Sequence, residues 1–212
     1  MPTLLLVRHA QGSFGGADYD VLSERGHEQA TALADELGAR GVNVTRLVSG
    51  SLARQRDTLA PVAERFALEL EADPRWNEYD SGDIIEGQAS PSGFAGTQRE
   101  FQALLDGALV AWVTKAEGSW PAFRDRIDDA LAELMASLAS RETAVVSTSG
   151  GPIAAVGVAL LGLPPERLVA LNRVTVNAGV TKVVSGASGA TLVSFNEHGY
   201  LERQGHSLLT YR

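Results

Sequence analysis

The 212-residue chain contains no cysteine and only four histidines: His9, His27, His198 and His206. The absence of thiols excludes disulfide bonds, thiolate nucleophiles and cysteine-ligated metals. No two histidines have the HxxxH or HxH spacing that is typical of a shared metal ion. We therefore expect no bound metal and no cofactor.

The chain also lacks long apolar runs and an excess of positive charge. No apolar stretch reaches the roughly 20 residues of a membrane span, and no basic residues precede the first apolar run as they would in a signal peptide. The net charge of −8 disfavours nucleic acid and anionic membranes as partners. No GxxxxGK[ST] loop for nucleoside triphosphates is present. We expect a cytoplasmic protein, in which a few converging arginines would suffice for a small phosphorylated ligand.

The sequence does contain enough apolar residues, 44%, for a sizeable core. Apolar runs typical of buried strands alternate with amphipathic helical patterns, which favours an α/β fold. We expect a three-layer α/β/α sandwich with a mostly parallel central sheet, formed by one domain over residues 1–212. We interpret residues 81–118 as a small helical insertion over the site and expect it to act as a lid. The predicted strands are 4–7, 44–48, 68–72, 143–147, 174–184 and 190–195.

Polar residues follow four of the predicted strands. The carboxyl ends of parallel strands meet at one edge of a sheet, so these groups are expected to share a crevice. Arginines beside a helix N-terminus are typical of a phosphate site, a histidine there can attack phosphorus, and a carboxylic acid can protonate a leaving group. The groups are Arg8-His9, Ser51 with Arg54 and Arg56, Glu78 with Asp80, and Thr148-Ser149-Gly150-Gly151.

Six ordered stretches resemble those of the histidine phosphatase superfamily, the phosphoglycerate-mutase-like fold. The strand and Arg-His pair LLLVRHAQG resemble the family's signature, and VVSTSGGPIAA resembles the strand and helix that carry its second histidine. SGSLARQRDT is similar to the family's Ser-x-Leu-x-Arg-Ala-x-Gln-Thr segment. The other matching stretches are LSERGHEQA (22–30) and WNEYDSGDIIEG (76–87), and VNAGVT (176–181) looks like a family strand.

The resemblance implies a role for each matching residue. His9 would be the nucleophile that becomes phosphohistidine, with Arg8 and Arg54 holding the phosphoryl oxygens. Glu78 would protonate the leaving group and then activate water, while Asp80 stays open as an alternative acid. Gln11 and Ser13 would contact substrate. Arg56 has a weaker claim, because the family usually has no arginine there.

One departure from the family pattern concerns the second histidine. Ser149 stands where that residue is expected, so the position offers one neutral hydrogen bond in place of a charge-assisted one. Loss of one preorganised donor costs about 2.7–4 kcal/mol, or 10²–10³ in rate. The N–H of Gly150 could offset part of this loss as a phosphate contact. His198 or His206 could also fill the gap from the C-terminal part of the chain.

The leading hypothesis is a metal-independent phosphatase that hydrolyses a small phosphomonoester through phospho-His9. The alternative is a catalytically attenuated, phospho-ligand-binding member of the family, with a phosphoglycerate-type mutase ranked last. The expected partner is a small phosphorylated substrate, with no nucleic acid and no membrane. A homodimer is a further hypothesis, based on the size of the chain.

Overall fold

The computed structural model describes residues 1–13, 20–80, 84, 97–115 and 118–211, without the side chains of 98, 99, 101, 102 and 206. One sheet lies at its centre, and helices flank the sheet. The strands are β1 (Thr3–Arg8), β2 (Val44–Ser49), β3 (Leu70–Ala72), β4 (Thr143–Thr148), β5 (Val180–Gly186) and β6 (Gly189–Glu197). The helices of the described ranges are α1 (Glu24–Ala39), α2 (Ala53–Phe66), α3 (Gln98–Val113), α4 (Ser119–Ser137), α5 (Gly150–Leu161), α6 (Leu168–Val174) and α7 (Gly199–Gln204).

The strand order is β3-β2-β4-β1-β5-β6. Strands β3, β2, β4 and β1 are mutually parallel, whereas β5 runs antiparallel to both of its neighbours. The mixed sheet confirms the predicted α/β sandwich with a mostly parallel centre. No helix in the described part of the chain is long and apolar enough to span a bilayer.

The two faces of the sheet carry separate apolar cores. Alternate residues of a strand point to opposite faces, and β1 follows this rule. Leu4 and Leu6 pack in the core beneath α3, α4, α5 and α6, whereas Leu5 and Val7 pack in the core beneath α1, α2 and α7. All six residues of β4 are buried. The continuous apolar runs in β1 and β4 therefore reflect burial on both faces.

The chain leaves the two central strands in opposite directions. After β1 it enters the helical layer that contains α1 and α2, and after β4 it enters the other layer through α5. Such a divergence between adjacent parallel strands opens a crevice at their carboxyl ends, which is the usual ligand site of this architecture. Arg8 and Thr148 are paired at this edge of the sheet. His9 and Ser149 therefore lie at the crevice.

The structure differs from the predicted strand 174–184, because Val174 is the last residue of α6. Residues 175–179 are not part of a strand, because Ala178 has a φ of 58° and the Gly179 N–H closes a turn on the Val176 carbonyl. Strand β5 therefore begins at Val180. Of the predicted insertion 81–118, the structure describes residues 84, 97–115 and 118, which include helix α3. Residues 81–83, 85–96 and 116–117 lie outside the described residues. Its function as a lid stays a prediction.

Candidate active site

His9 follows β1 directly and is held by the end of β4 and by the 175–179 turn. Its backbone N–H donates to the Thr148 carbonyl over 2.7 Å, and its own carbonyl accepts from Asn177 Nδ2 at 3.0 Å. The residue is only 4% exposed. The backbone of His9 is therefore held from two sides, by β4 and by the 175–179 turn.

The hydrogen bonds of the imidazole define its tautomer. Nδ1 lies 2.8 Å from the Ala10 carbonyl oxygen, and because a carbonyl can only accept, Nδ1 carries the proton. The neutral ring then has its lone pair on Nε2. Nε2 faces the Nε–H of Arg54 at 3.3 Å. This ring nitrogen and a guanidinium thus converge on one point.

Arg54 lies in the first turn of α2 and is held from two sides. Asp20 accepts from Arg54 Nη1 at 2.8 Å and from the backbone N–H of Ala53, also at 2.8 Å. One carboxylate therefore orients the guanidinium and also caps the helix. Thr58 Oγ1 donates to the Arg54 carbonyl and accepts from the Ala10 N–H. Thr58 therefore links the first turns of α2 to the segment that follows His9 by hydrogen bonds.

Arg8 is buried beside His9, with 4% of its surface exposed. Its Nη1 donates to the carbonyl of Thr175, in the turn before β5. The backbone N–H of Ala178 donates to the Arg8 carbonyl at 3.0 Å. Arg8 therefore brings a buried positive charge to the edge of the sheet at which His9 lies, and it links β1 to the 175–179 turn.

Glu78 reaches the N-terminus of α5. Its Oε2 accepts from the Gly151 N–H at 3.2 Å. A Cβ on Gly151 would lie 2.1 Å from Glu78 Oε1, so glycine is needed for this approach. Arg126 holds the preceding backbone through the carbonyls of Asn77 and Glu78, and burial lowers the pKa of its guanidinium. The carboxylate is thus positioned by two elements.

Ser149 is the N-cap residue of α5 and is fully buried. Its Oγ accepts from Gln55 Nε2 at 2.9 Å. Gly150 is equally confined, because a Cβ there would lie 2.2 Å from Asn172 Oδ1. The first N–H groups of α5 therefore lie beside Glu78 and Ser149, in the crevice that His9 also borders. A helix N-terminus of this kind favours bound anions.

A cavity of about 460 Å³ adjoins Glu78. Its walls combine aromatic rings with the 74–80 segment and with side chains of α3 and α4. Tyr79, Trp112 and Phe123 form a ring cluster with centroid separations of 5.3–6.0 Å. Trp112 and Trp120 are also buried in the core. The cavity offers an apolar space next to the candidate acid.

Four other residues that the sequence suggested for the site make contacts away from His9 in the described structure. Gln11 accepts from Ser23 Oγ at 2.9 Å, beside the start of α1, and Ser13 donates its N–H to Val21. Arg56 and Asp80 are exposed. Arg56 donates to the Ser51 carbonyl, and Asp80 lines the cavity.

His27 and His198 lie outside the constellation described above. His27 is exposed on α1. His198 precedes α7, with Nδ1 2.6 Å from the Asn196 carbonyl and Nε2 3.8 Å from Glu202. The side chain of His206 lies outside the described residues. No group of three His, Asp or Glu side chains in the described ranges is arranged to hold a metal ion.

Several residues that position the site were not predicted from the sequence. Asp20 contacts Arg54, and Gln55 contacts Ser149. Local sequence patterns do not predict such contacts between distant segments. A buried chain of Gln29, Thr210 and Asn177 also ends at the His9 carbonyl. The signal for Gln29 was available, because it precedes Leu33 and Leu37 by four and eight residues and so shares their buried helix face.

These features agree with the comparisons with known proteins. The chain belongs to the histidine phosphatase superfamily (branch 1), whose model matches residues 4–198. It is similar in structure to a mycobacterial glucosyl-3-phosphoglycerate phosphatase in complex with VO₃, with 28% identity, a TM-score of 0.68, and coverage of 92% of this chain and 99% of the other.

Two further structures show the same likeness. One, described as a mycobacterial hydrolase, has 29% identity, a TM-score of 0.67, and coverage of 92% of this chain and 97% of the other. The other is a mutant phosphoserine phosphatase from Entamoeba histolytica, with 19% identity, a TM-score of 0.69, and coverage of 95% and 100%, a likeness of fold alone. A search of curated proteins found no significant match.

Proposed function

We propose that the protein is a metal-independent phosphatase that hydrolyses a small phosphomonoester through a phosphohistidine on His9. The observation that carries the proposal is the lone pair of His9 Nε2, which faces the Arg54 guanidinium at 3.3 Å. A phosphoryl group that replaces this hydrogen bond would meet the nucleophile at phosphorus and the charge-assisted donor at one of its oxygens. Membership of the histidine phosphatase superfamily supports the same assignment.

In the first step, His9 Nε2 attacks phosphorus and forms the P–N bond. The P–O bond to the alcohol breaks, and its electron pair leaves with the alkoxide oxygen. Glu78, as the carboxylic acid, gives its proton to that oxygen, so the alcohol departs neutral. Arg8, Arg54 and the N–H groups at Ser149 and Gly150 hold the phosphoryl oxygens during the transfer.

In the second step, water attacks phosphorus and Glu78, now a carboxylate, takes the proton from it. The P–N bond breaks, and its electron pair returns to Nε2. The products are inorganic phosphate and the original imidazole, with Glu78 protonated again. The Ala10 carbonyl keeps Nδ1 protonated throughout, so the leaving imidazole needs no change of tautomer.

The substrate would be a phosphate ester of a small organic alcohol. The cavity beside Glu78 gives about 460 Å³ for the alcohol portion. A mycobacterial relative at 28% identity is a phosphatase of glucosyl-3-phosphoglycerate, and its structure has been determined with VO₃ and with inorganic phosphate. Gln11 and Ser13, on the segment after His9, would contact substrate from the other side.

The test is hydrolysis of 4-nitrophenyl phosphate in the presence of a chelator, with wild type and His9→Ala. We expect turnover by the wild type, an acid-labile phosphoenzyme after rapid quenching, and no turnover by His9→Ala. The matched control is His27→Ala, an exposed histidine on α1, which should retain the wild-type rate. Full activity of His9→Ala would disprove the mechanism.

The buried Ser149 favours a second candidate, a member of the family that binds phosphorylated ligands with little turnover. Orthovanadate distinguishes the two, because it occupies a phosphoryl site without being hydrolysed. Saturable vanadate binding that requires Arg54, without turnover or phosphoenzyme, would support the binding protein. Binding together with turnover would support the phosphatase.

A further inference from the structure

The geometry points to Gln55 as a positioning residue that makes the Ser149 hydroxyl a hydrogen-bond donor to the phosphoryl group. The two residues together would take over the work of the family's second histidine. This inference rests on the proposed function. Gln55 is a second departure from the family pattern. It stands where the Ser-x-Leu-x-Arg-Ala-x-Gln-Thr segment has alanine.

The orientation of the Gln55 amide follows from its partners. Nε2 lies 3.3 Å from the Trp76 carbonyl oxygen, which can only accept, so this end of the amide is the NH₂ group. The same Nε2 lies 2.9 Å from Ser149 Oγ. Ser149 therefore accepts one N–H from Gln55 and keeps its own proton for another acceptor.

Among the described residues, the Ser149 hydroxyl accepts from Gln55 and donates no hydrogen bond of its own. Ser149 is the N-cap residue of α5, but within the described structure its side chain makes no capping hydrogen bond. Both Ser149 and Gln55 are 0% exposed, so a phosphoryl oxygen, like water, reaches the hydroxyl only when neighbouring side chains move. A phosphoryl oxygen bound at the N-terminus of α5 is the acceptor that fits the available proton.

The space around Gln55 is built for this amide. A Cβ on Gly50 would lie 2.0 Å from Gln55 Oε1, so the glycine leaves room for the side chain. An imidazole at position 149 in the rotamer of the serine would overlap the Gln55 amide, because its ring extends beyond the point that lies 2.9 Å from Nε2. The glutamine thus fills the volume that a histidine ring would need.

The experiment is a double-mutant cycle of Gln55→Met and Ser149→Ala, measured as kcat and KM for 4-nitrophenyl phosphate and as Kd for orthovanadate. Ser149→Ala should lower kcat about 10- to 100-fold, as for loss of one donor to a charged group. Gln55→Met should lower kcat about tenfold in the wild-type background, with little change in KM. In the Ser149→Ala background the same change should have no further effect.

The control variant is Arg56→Met, at the next residue of α2, which is exposed and should leave all parameters unchanged. Equal effects of Gln55→Met in both backgrounds would overturn the inference and leave the phosphatase intact, since His9 would still be required. A wild type that neither hydrolyses the ester nor binds vanadate would overturn the proposed function and this inference with it. Melting temperatures identify variants that act through stability.

A histidine replacement gives an independent arm of the test. Ser149→His alone should leave kcat no higher than in wild type, whereas Ser149→His combined with Gln55→Ala should raise it above that of Gln55→Ala alone. Full gain from the single replacement would show that Gln55 does not occupy the place of the ring, and would contradict the inference.

Discussion

The Nε–H of Arg54 is aimed at His9 Nε2 across 3.3 Å, and both side chains are buried. A guanidinium provides this donor in a fixed plane, whereas a lysine ammonium is a point charge on a flexible stem. Arg54→Lys should therefore lower kcat about 100-fold and weaken vanadate binding, although the charge is retained. Arg56→Lys is the matched control and should behave as wild type. An Arg54→Lys enzyme with wild-type kcat would show that the directed Nε–H is not needed.

Asp20 holds both the Arg54 guanidinium and the first N–H groups of α2. Asp20→Ala should lower the free energy of unfolding by about 1 kcal/mol through loss of the cap. It should also reduce kcat/KM about five-fold, because Arg54 loses a partner that is partly exposed to solvent.

Asp20→Asn separates these two effects. The amide oxygen still accepts from the Ala53 N–H, but the charge is gone. Stability by thermal denaturation should therefore return toward wild type while kcat/KM stays low. Recovery of both quantities would show that the negative charge does not matter for Arg54.

Glu78 and Asp80 are distinguished by the dependence of rate on the leaving group. A 4-nitrophenolate departs readily without a proton, whereas an alkoxide needs one. Glu78→Gln preserves an oxygen acceptor for the Gly151 N–H but removes the acid. It should therefore lower kcat about 10²- to 10⁴-fold for an alkyl phosphate and less for 4-nitrophenyl phosphate.

Asp80→Asn is the control for that experiment, because Asp80 is exposed whereas Glu78 meets the N-terminus of α5. It should leave the ratio of the two rates unchanged. If the leaving-group effect appears in Asp80→Asn and not in Glu78→Gln, Asp80 is the acid.

Gly151 permits the contact between Glu78 and α5. A Cβ at this position would lie 2.1 Å from Glu78 Oε1 and 2.7 Å from the Tyr79 ring. Gly151→Ala should therefore lower kcat at least tenfold and destabilise the fold by about 1–3 kcal/mol through overpacking. Gly157→Ala, in the same helix, meets only the flexible end of Leu171 at 3.0 Å and should retain activity. Calorimetry and kinetics of the two variants provide the comparison.

The sequence predicted most elements because their signals are local. The apolar runs of β1 and β4 are buried on both faces, and Ser23 caps α1 by accepting from the Gly26 N–H. The turn at 175–179 could not be predicted in this way. Its backbone is stabilised by partners distant in sequence, as in the Ala178 N–H to Arg8 carbonyl bond and the Val176 N–H to Asn196 bond.

The family resemblance and the chemical types at the crevice can be recognised without coordinates, because they depend on residue identity and on spacing within a strand-to-helix junction. The atoms that meet there depend on the folded chain. Asp20 lies 34 residues from Arg54, and Gln55 lies 94 residues from Ser149, yet each pair is within hydrogen-bonding distance. Such contacts depend on the strand order and on the direction in which each chain segment leaves the sheet, and these arise from packing two apolar cores against one sheet.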